Sequence, residues 1–264
     1  MITNPSITIC LAIFLGVIAL VQSPVGFGKN HNRDDLTLSG EPVLKRSIKI
    51  VALLKRRQEI SRAEFKDHYE NHHVPLAQAF FEGWPGYVRN HIEVVFPDQA
   101  LDFDVITMFW YKNTQHLQST IELLSDERGQ IVRDDELTFM IKGANHYYPV
   151  KELLASDTNS TDMPWKIGFF PSTENHYKLI ALLRSGIAGP WKKFLHTIHQ
   201  SNKPVSLITW VSNTIENDPT AEFEQLTEMW FTNPTAATGL MKKWQSQFPG
   251  IIFVSVSTFE SSLL

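Results

Sequence analysis

The chain has 264 residues, of which 43% are hydrophobic and 20% are charged, and this composition excludes a disordered or low-complexity chain. The formal net charge of −4, without any dense lysine/arginine run, argues against a nucleic-acid-binding protein. The single cysteine, Cys10, excludes an intrachain disulfide and a cysteine-based zinc site.

The N-terminal segment at 7–21, "ITICLAIFLGVIALV", is mostly apolar, and no charged residue precedes Lys29. Its length fits the hydrophobic region of a signal peptide and is short for a membrane span of about 20 residues. The positive region that usually begins a signal peptide is missing, so a cleaved signal, an uncleaved anchor and an unexported terminus stay open. We expect residues 1–28 to be a signal peptide or membrane anchor and residues 29–46 a polar linker. The body of the protein would then be exported, to the periplasm or the extracellular space, or tethered to a membrane with its body outside the cytosol.

The first half of the body, residues 47–150, alternates between strand-like and helix-like patterns. Its strands are apolar at adjacent positions, which is typical of strands buried on both faces. The first helix begins with a capping box formed by Ser61 and Glu64, and Pro75 predicts its end near Val74. The predicted elements are strand Ile48–Lys55, a helix from Ser61, strands Tyr87–Phe96 and Phe103–Tyr111, helix Thr114–Ser125, a shorter helix to about Met140, and strand Gly143–Val150.

The second half, residues 177–264, repeats this order after a linker-like stretch at 151–176. The run "VALLKRR" at Val51 matches "IALLRSG", which begins 129 residues later, and "ITMFWYKNT" at Ile106 matches "LTEMWFTNP", which begins 120 residues later. The predicted elements are strand Tyr177–Arg184, helix Gly189–Gln200, strands Pro204–Asn213 and Ala221–Phe231, helix Pro234–Phe248 and strand Gly250–Glu260.

Each half therefore has the order βαββαβ of a ferredoxin-like unit. Helices cover only one face of such a sheet, and strands that are apolar on both sides need cover on the other face too. The sequence predicts an α+β fold in which two ferredoxin-like repeats pack sheet to sheet as a fused, pseudo-dimeric α/β barrel within a monomer. Two independent α+β domains on a linker are the alternative.

The stretch "FKDHYENHHVPLA" places three histidines on and beside the apolar face of the first helix. On a helical wheel, Phe65 and Tyr69 lie on the core-facing stripe, with His72 and His73 on its flanks. A histidine beside an apolar pocket is suited to proton transfer. His68 and His72 are four residues apart and could share a metal ion, but the sequence fixes no carboxylate ligand, so we expect no metal site.

Strand alternation adds further candidates, because it places Tyr87, Arg89 and His91 on one face of the second strand. These polar residues indicate a pocket wall, and exposure at a strand end is the alternative. Trp110 occupies the same place in its strand as Trp230 in the repeat, either in the core or against a ligand. We find no serine-nucleophile, phosphate-binding glycine or dinucleotide motif at usable spacing.

The segment "LLKRRQEISRAEFKDHYENHHVPLAQAF", followed by "GYVRNHI", resembles the opening of the EthD-like family, named for ethyl tert-butyl ether degradation. The resemblance places His73 on the family histidine of its H-x-P motif, Tyr69 on the tyrosine one turn earlier and Phe65 on an aromatic position. Residues 177–264 lack that motif and resemble a degenerate repeat. The resemblance implies a dimeric α/β-barrel fold and no firm activity. Members are labelled oxidoreductases or accessory proteins, and some fungal relatives are cofactor-free decarboxylases or dehydratases of aromatic polyketides.

With that resemblance we expect a cofactor-free acid–base enzyme of lyase or oxidoreductase type. Its partner would be a small apolar or aromatic molecule bound between the sheet and helices of the first half. The expected catalytic residues are His73, Tyr69 and His91, and the expected substrate-binding residues are Phe65, His72, Arg89 and Trp110. An exported carrier that binds such a molecule without turnover is the alternative. Haem binding through a histidine is a third hypothesis, which rests on related haem-binding barrels alone.

Overall fold

The computed structural model describes residues 48–79, 83–154, 176–201, 206–215 and 218–261, with Leu154 and residues 199–201 described by their backbone only. The expected signal or anchor segment, the polar linker and most of the second linker lie outside these ranges. In the described part of the chain, every helix is too short or too polar to cross a membrane.

The secondary structure repeats the order βαββαβ in the two halves, as the sequence predicts. The first half contains β1 (Ile48–Leu54), α1 (Arg62–His68), α2 (Val74–Gln78), β2 (Gly86–Phe96), β3 (Val105–Tyr111), α3 (Thr114–Ser125), α4 (Gln130–Phe139) and β4 (His146–Leu154). The second half contains β5 (Tyr177–Leu183), α5 (Ala188–Ser201), β6 (Leu207–Ile215), β7 (Gln225–Phe231), α6 (Pro234–Gln247) and β8 (Ile251–Ser261).

The eight strands close into one barrel in the order β1-β3-β2-β8-β5-β7-β6-β4. Each half contributes a ferredoxin-like sheet, and two antiparallel seams join the sheets. One seam pairs β2 with β8 over nearly the whole length of both strands. The other pairs the last five residues of β4 with β6. The predicted pseudo-dimeric barrel is therefore confirmed, and the alternative of two independent domains is wrong.

Alternate residues of the strands divide between the barrel interior and the helix-covered outer face. In β1, Val51 and Leu53 pack inside the barrel. Ile50 and Leu54 pack on the outside, beneath Phe65 of α1. Both faces of the strand are buried, which explains why the sequence shows apolar residues at adjacent positions.

The predicted end of the first helix near Val74 is wrong. Residues Tyr69–His73 form a π-helical turn, and α2 continues from Val74 to Gln78. The Val74 N–H donates to the Tyr69 carbonyl, five residues back. Pro75 then falls in the first turn of α2, directly after a π turn that already interrupts the regular i→i−4 hydrogen-bond pattern.

The predicted start of the second linker at residue 151 is also wrong. A 3-10 turn at Lys142–Ala144 precedes β4, which begins at His146 and continues to Leu154. The residues after Val150 are held in the strand by their pairing with β6 of the other half. That partner lies more than fifty residues away in the chain, so the local pattern carries no sign of it.

Buried charges from both halves meet inside the barrel. Glu228 of β7 contacts the Nζ atoms of Lys49 at 3.1 Å and Lys178 at 2.8 Å, and it accepts a hydrogen bond from Asn213. Lys178 also donates to Asn90 of β2 at 2.8 Å. Burial alone would raise the pKa of the Glu228 carboxyl, but the two lysines outweigh this effect and hold that pKa at about 2. One carboxylate thus links strands of both halves.

We expect the substitution Glu228→Gln to lower the free energy of unfolding by about 3–5 kcal/mol, because it leaves Lys178 buried without a carboxylate partner. Urea unfolding followed by circular dichroism measures this loss. The folded-state pKa of about 2 lies below the reference value of 4.5. The stabilisation by Glu228 is therefore complete above pH 4.5 and is lost as the pH falls towards 2. The difference between wild type and variant should narrow over that pH range.

Glu222→Gln provides the matched control, because Glu222 forms an exposed ion pair with Arg184. Exposed ion pairs contribute about 0–1 kcal/mol, so this variant should unfold close to the wild-type midpoint. An unfolding midpoint of Glu228→Gln equal to that of Glu222→Gln would contradict the structural role of the buried carboxylate.

Candidate functional site

A cavity of about 670 Å³ lies in the first half, between the outer face of β1, β2 and β3 and the helices that cover it. This is where the sequence predicts the ligand pocket. Its wall includes the buried aromatic residues Trp84, Tyr87 and Tyr111, whereas Arg57 and Glu59 of its lining are exposed. A cavity of this size with an apolar wall and charged groups at its edge suits a small, largely apolar ligand.

Two tyrosine hydroxyls and a threonine hydroxyl form a buried chain in the wall of the cavity. The Tyr87 hydroxyl donates to the Tyr69 hydroxyl at 3.1 Å, and the latter lies 3.1 Å from Thr107 Oγ1. Burial raises the pKa of Tyr69 to about 12 and that of Tyr87 well above its ordinary value. Both hydroxyls therefore stay protonated in neutral solution, where they are hydrogen-bond donors rather than bases.

His73 lines the same cavity and is held by a carboxylate. Its Nδ1 atom lies 2.8 Å from Oδ2 of Asp135, and only 5% of the residue is exposed. Burial alone would raise the pKa of the Asp135 carboxyl, but hydrogen bonds from His73 and His68 outweigh it and lower that pKa below its ordinary value. An ionised carboxylate only accepts hydrogen bonds, so the network assigns the proton to Nδ1 of His73. In the neutral imidazole, the lone pair is then on Nε2 of His73.

Asp135 contacts two further histidines on the outer side of the helix. His68 Nε2 lies 2.8 Å from Asp135 Oδ1, and His72 Nε2 lies 3.3 Å from the same oxygen. These three ligand atoms all lie within 4.8 Å of one another, which is compact enough to hold a metal ion. Asp135 is therefore the carboxylate that sequence analysis did not identify as a possible third ligand beside His68 and His72.

Sequence reasoning missed Asp135, although α4 carries a signal that could have revealed it. The helix sequence "QIVRDDELTF" buries Val132, Asp135 and Phe139, which are spaced by three and four residues along one face. A carboxylate on the apolar stripe of an amphipathic helix needs a partner. The sequence gives no means of choosing that partner among the histidines.

Arg89 and His91 are buried together around Glu70, which lies in the π turn. Arg89 Nη2 lies 2.6 Å from Glu70 Oε2, and His91 Nε2 lies 2.7 Å from Glu70 Oε1. Arg89 is 3% exposed and His91 is 4% exposed, so the alternative of an exposed strand end is wrong. These contacts join the π turn to β2, and none of the three residues lines the cavity.

Of the predicted site residues, Tyr69 and His73 line the cavity, and the other five do not. Phe65 packs beneath it against Tyr69 and Phe139. Trp110 faces the barrel interior, where Lys49 Nζ lies 4.4 Å from its ring centroid. The remaining three are Arg89 and His91, which bind Glu70, and the exposed His72.

The matching surface of the second half is filled by aromatic side chains. Strand register places Trp210 where the first half has Tyr87, and Trp191 Nε1 donates to Thr227 Oγ1 at 3.2 Å. Trp191 also packs against Trp244 and Phe248, with ring centroids 5.6 and 5.4 Å away. The hydroxyl chain of the first half is thus replaced by indole packing among the described residues of this half.

Comparison with known proteins agrees with the fold. Residues 57–143 match the sequence profile of the EthD domain. No curated protein matches the chain significantly. An anthrone oxidase-like protein has 8% identity and a TM-score of 0.53, covering 84% of this chain and 96% of that chain. A protein named as a candidate monooxygenase from Fusobacterium nucleatum subsp. nucleatum has 7% identity and a TM-score of 0.50, covering 82% of this chain and 94% of that chain.

At these identities the two structures show the shared fold and nothing about activity. The profile match falls on the half that contains the cavity, the tyrosine chain and the His73–Asp135 pair. It confirms the resemblance that the sequence suggests, because residues 57–143 of this α/β barrel match the EthD domain.

Proposed function

We propose that this protein is an acid–base enzyme acting on a small, largely apolar aromatic molecule in the first-half cavity, without need of a cofactor. The observation that carries the proposal is the pairing of His73 Nδ1 with Asp135 Oδ2 at 2.8 Å on the wall that also holds the Tyr69 hydroxyl. A histidine oriented by a carboxylate, beside neutral hydroxyl donors, provides a base and a stabiliser of negative charge in one pocket.

The class of ligand follows from the aromatic wall. Tyr87 and Phe109 stack with ring centroids 5.0 Å apart and planes 13° apart, and Trp84 meets both edge-on at 5.5 Å. Flat aromatic surfaces favour a planar aromatic ligand by offset stacking and by removal of apolar area from water. One protein of the same fold is named anthrone oxidase-like, which makes the tricyclic ketone anthrone a reasonable first probe.

The chemistry proposed is proton abstraction from a carbon that is conjugated with a carbonyl group once it is deprotonated, as the methylene carbon of anthrone is through its aromatic rings. His73 Nε2 accepts the proton, and Asp135 stabilises the imidazolium that forms. The negative charge moves to the carbonyl oxygen, where a tyrosine hydroxyl donates a hydrogen bond. The resulting enolate is an intermediate common to lyase and oxidase reactions. His73 then returns the proton to carbon or to a departing group.

A carrier that binds the same molecule without turnover is the second candidate, and the tyrosine chain favours it. The Tyr87 hydroxyl donates to Tyr69, so its proton is engaged within the protein, and so is the Tyr69 proton when Tyr69 is the donor in its hydrogen bond with Thr107. In that arrangement, catalysis requires one of the two hydroxyl protons to turn towards the ligand. Under this proposal the protein would be exported, or tethered to a membrane through residues 7–21, and would bind its ligand unchanged.

The test is proton exchange at the methylene carbon of anthrone in deuterated water, followed by proton NMR. We expect the wild-type protein to accelerate exchange and His73→Gln to slow it by about 10²–10⁴-fold, because the variant removes the base. Glutamine keeps an N–H group that can still donate to Asp135, so the helix contact is preserved.

His146→Gln is the control for this experiment, since His146 is exposed and stacks on Tyr148 outside the cavity lining. It should exchange anthrone at the wild-type rate. Equal rates for His73→Gln and wild type would refute the assignment of His73 as the base. Calorimetric binding of anthrone without any exchange in the wild type would favour the carrier.

A second prediction concerns the Tyr69 hydroxyl. Tyr69→Phe should slow the exchange of anthrone by about 10²–10³-fold, because it removes a donor to the developing oxyanion. It should also lower the free energy of unfolding by about 1–3 kcal/mol, since Thr107 and Tyr87 lose a buried hydrogen-bond partner. Exchange kinetics and urea unfolding measure the two effects separately.

Tyr148→Phe is the matched control, because Tyr148 is a buried tyrosine that packs in the barrel interior rather than on the cavity. It should leave the exchange rate unchanged. A Tyr69→Phe protein that exchanges anthrone as fast as Tyr148→Phe would show that the hydroxyl plays no part in the chemistry.

A further inference from the structure

The outer side of the helical layer of the first half carries a compact set of metal-ligating atoms. His68 ends α1, His72 follows within the π turn, and Asp135 faces them from α4. The two Nε2 atoms lie 2.8 and 3.3 Å from Asp135 Oδ1, and the imidazole ring centroids are 4.8 Å apart. Three ligand atoms from two facing helices thus converge on one point.

We infer that His68, His72 and Asp135 form a site for a divalent transition-metal ion, on the opposite side of Asp135 from His73. Zinc bonds to histidine nitrogen and carboxylate oxygen are about 2.0–2.2 Å long, which puts two tetrahedral ligands about 3.4 Å apart. The three atoms lie within 4.8 Å of one another, so a small rotation of the exposed His72 ring brings the set to that spacing.

The ligand types select the metal. Two imidazoles and one carboxylate suit zinc and its neighbours cobalt and nickel, whereas calcium and magnesium prefer oxygen ligands and copper(I) prefers sulfur. Three protein ligands leave at least one position of a tetrahedral ion for water or another small ligand. Binding requires each imidazole to carry its proton on Nδ1, so that Nε2 offers a lone pair to the ion.

The surroundings hold the ligands in place before any ion binds. His73 Nδ1 donates to Asp135 Oδ2, which fixes the orientation of the carboxylate and leaves Oδ1 towards the other two histidines. The His68 ring packs against Phe139 with centroids 4.6 Å apart. Only His72, with 65% of its side chain exposed, is free to adjust. A hydrogen bond to a ligating carboxylate is a common support for metal sites.

The alternative is that Asp135 only accepts hydrogen bonds from its neighbours. That interpretation explains the buried His73 and the half-buried His68, each 2.8 Å from one carboxylate oxygen. It also accommodates His72, because one carboxylate oxygen has two lone pairs and can accept from both rings. The two interpretations differ in the Nε2 protons: each Nε2 atom donates a proton to Oδ1 in the hydrogen-bonded network, whereas at a metal site each offers its lone pair to the ion.

The experiment is a titration of the full chain, without a histidine tag and stripped of metal with a chelator, with Co²⁺. We expect a visible ligand-field absorption band that saturates at one Co²⁺ per chain. His72→Ala should weaken Co²⁺ binding by more than about 100-fold, more than the loss of a supporting hydrogen bond costs. The exposed position of His72 makes the variant compatible with folding, which circular dichroism verifies.

His146→Ala controls for adventitious binding to a surface histidine, and it should bind Co²⁺ like the wild type. Absence of the saturating band in the wild type would overturn the inference, and so would a band that persists unchanged in His72→Ala. Co²⁺ binding is read without substrate, so its outcome is independent of anthrone exchange by His73. Either proposal can therefore fail while the other stands.

Discussion

The structure depends on one constraint: its strands are apolar on both faces, and helices cover only one face of a ferredoxin-like sheet. Closing two such sheets into a barrel buries the other face of both. The interior of the barrel is then occupied by side chains such as Val51, Met108 and Ile180. This arrangement leaves the outer face, between the sheet and its helices, for a ligand cavity. The cavity of the first half lies in that layer.

Joining the halves in one chain allows them to differ, which a symmetric dimer of identical subunits does not. Glu228 pairs with Ile180 in the second half, and Met108 pairs with Val51 in the first half. The strand register therefore makes Glu228 and Met108 equivalent positions of the two halves. A symmetric dimer would place two such carboxylates in its interior, where like charges repel at low dielectric. Here a single Glu228 contacts a lysine from each half. The same freedom allows the outer face of the first half to line a cavity while buried tryptophans occupy the matching described positions of the second half.

The fold is predicted from local patterns, namely strand alternation and helical periodicity, and the structure contains the strands and helices that these patterns predict. Strand alternation separates Arg89 and His91 from Asn90, and the helical wheel places Tyr69 on the core-facing stripe and His73 on its flank. The contacts that decide the site join distant segments, and the local pattern does not identify the partners. Asp135 lies 62 residues after His73 in the chain. Their meeting depends on how α4 docks against the π turn. For the same reason the sequence could not show that Glu70 binds the side chains of Arg89 and His91.

The π turn explains how one short helical segment serves the cavity along its length. In a regular α-helix, residues four apart drift by about 40° around the axis, because the repeat is 3.6 residues per turn. Tyr69, His73 and Ala77 are spaced by four, and all three line the cavity. The extra residue in the π turn offsets part of the drift between them. It also places Pro75 directly after an interruption of the regular i→i−4 hydrogen-bond pattern, in the first turn of α2. The π turn therefore accounts both for the position of Pro75 within a helical segment and for the orientation of His73 towards the cavity.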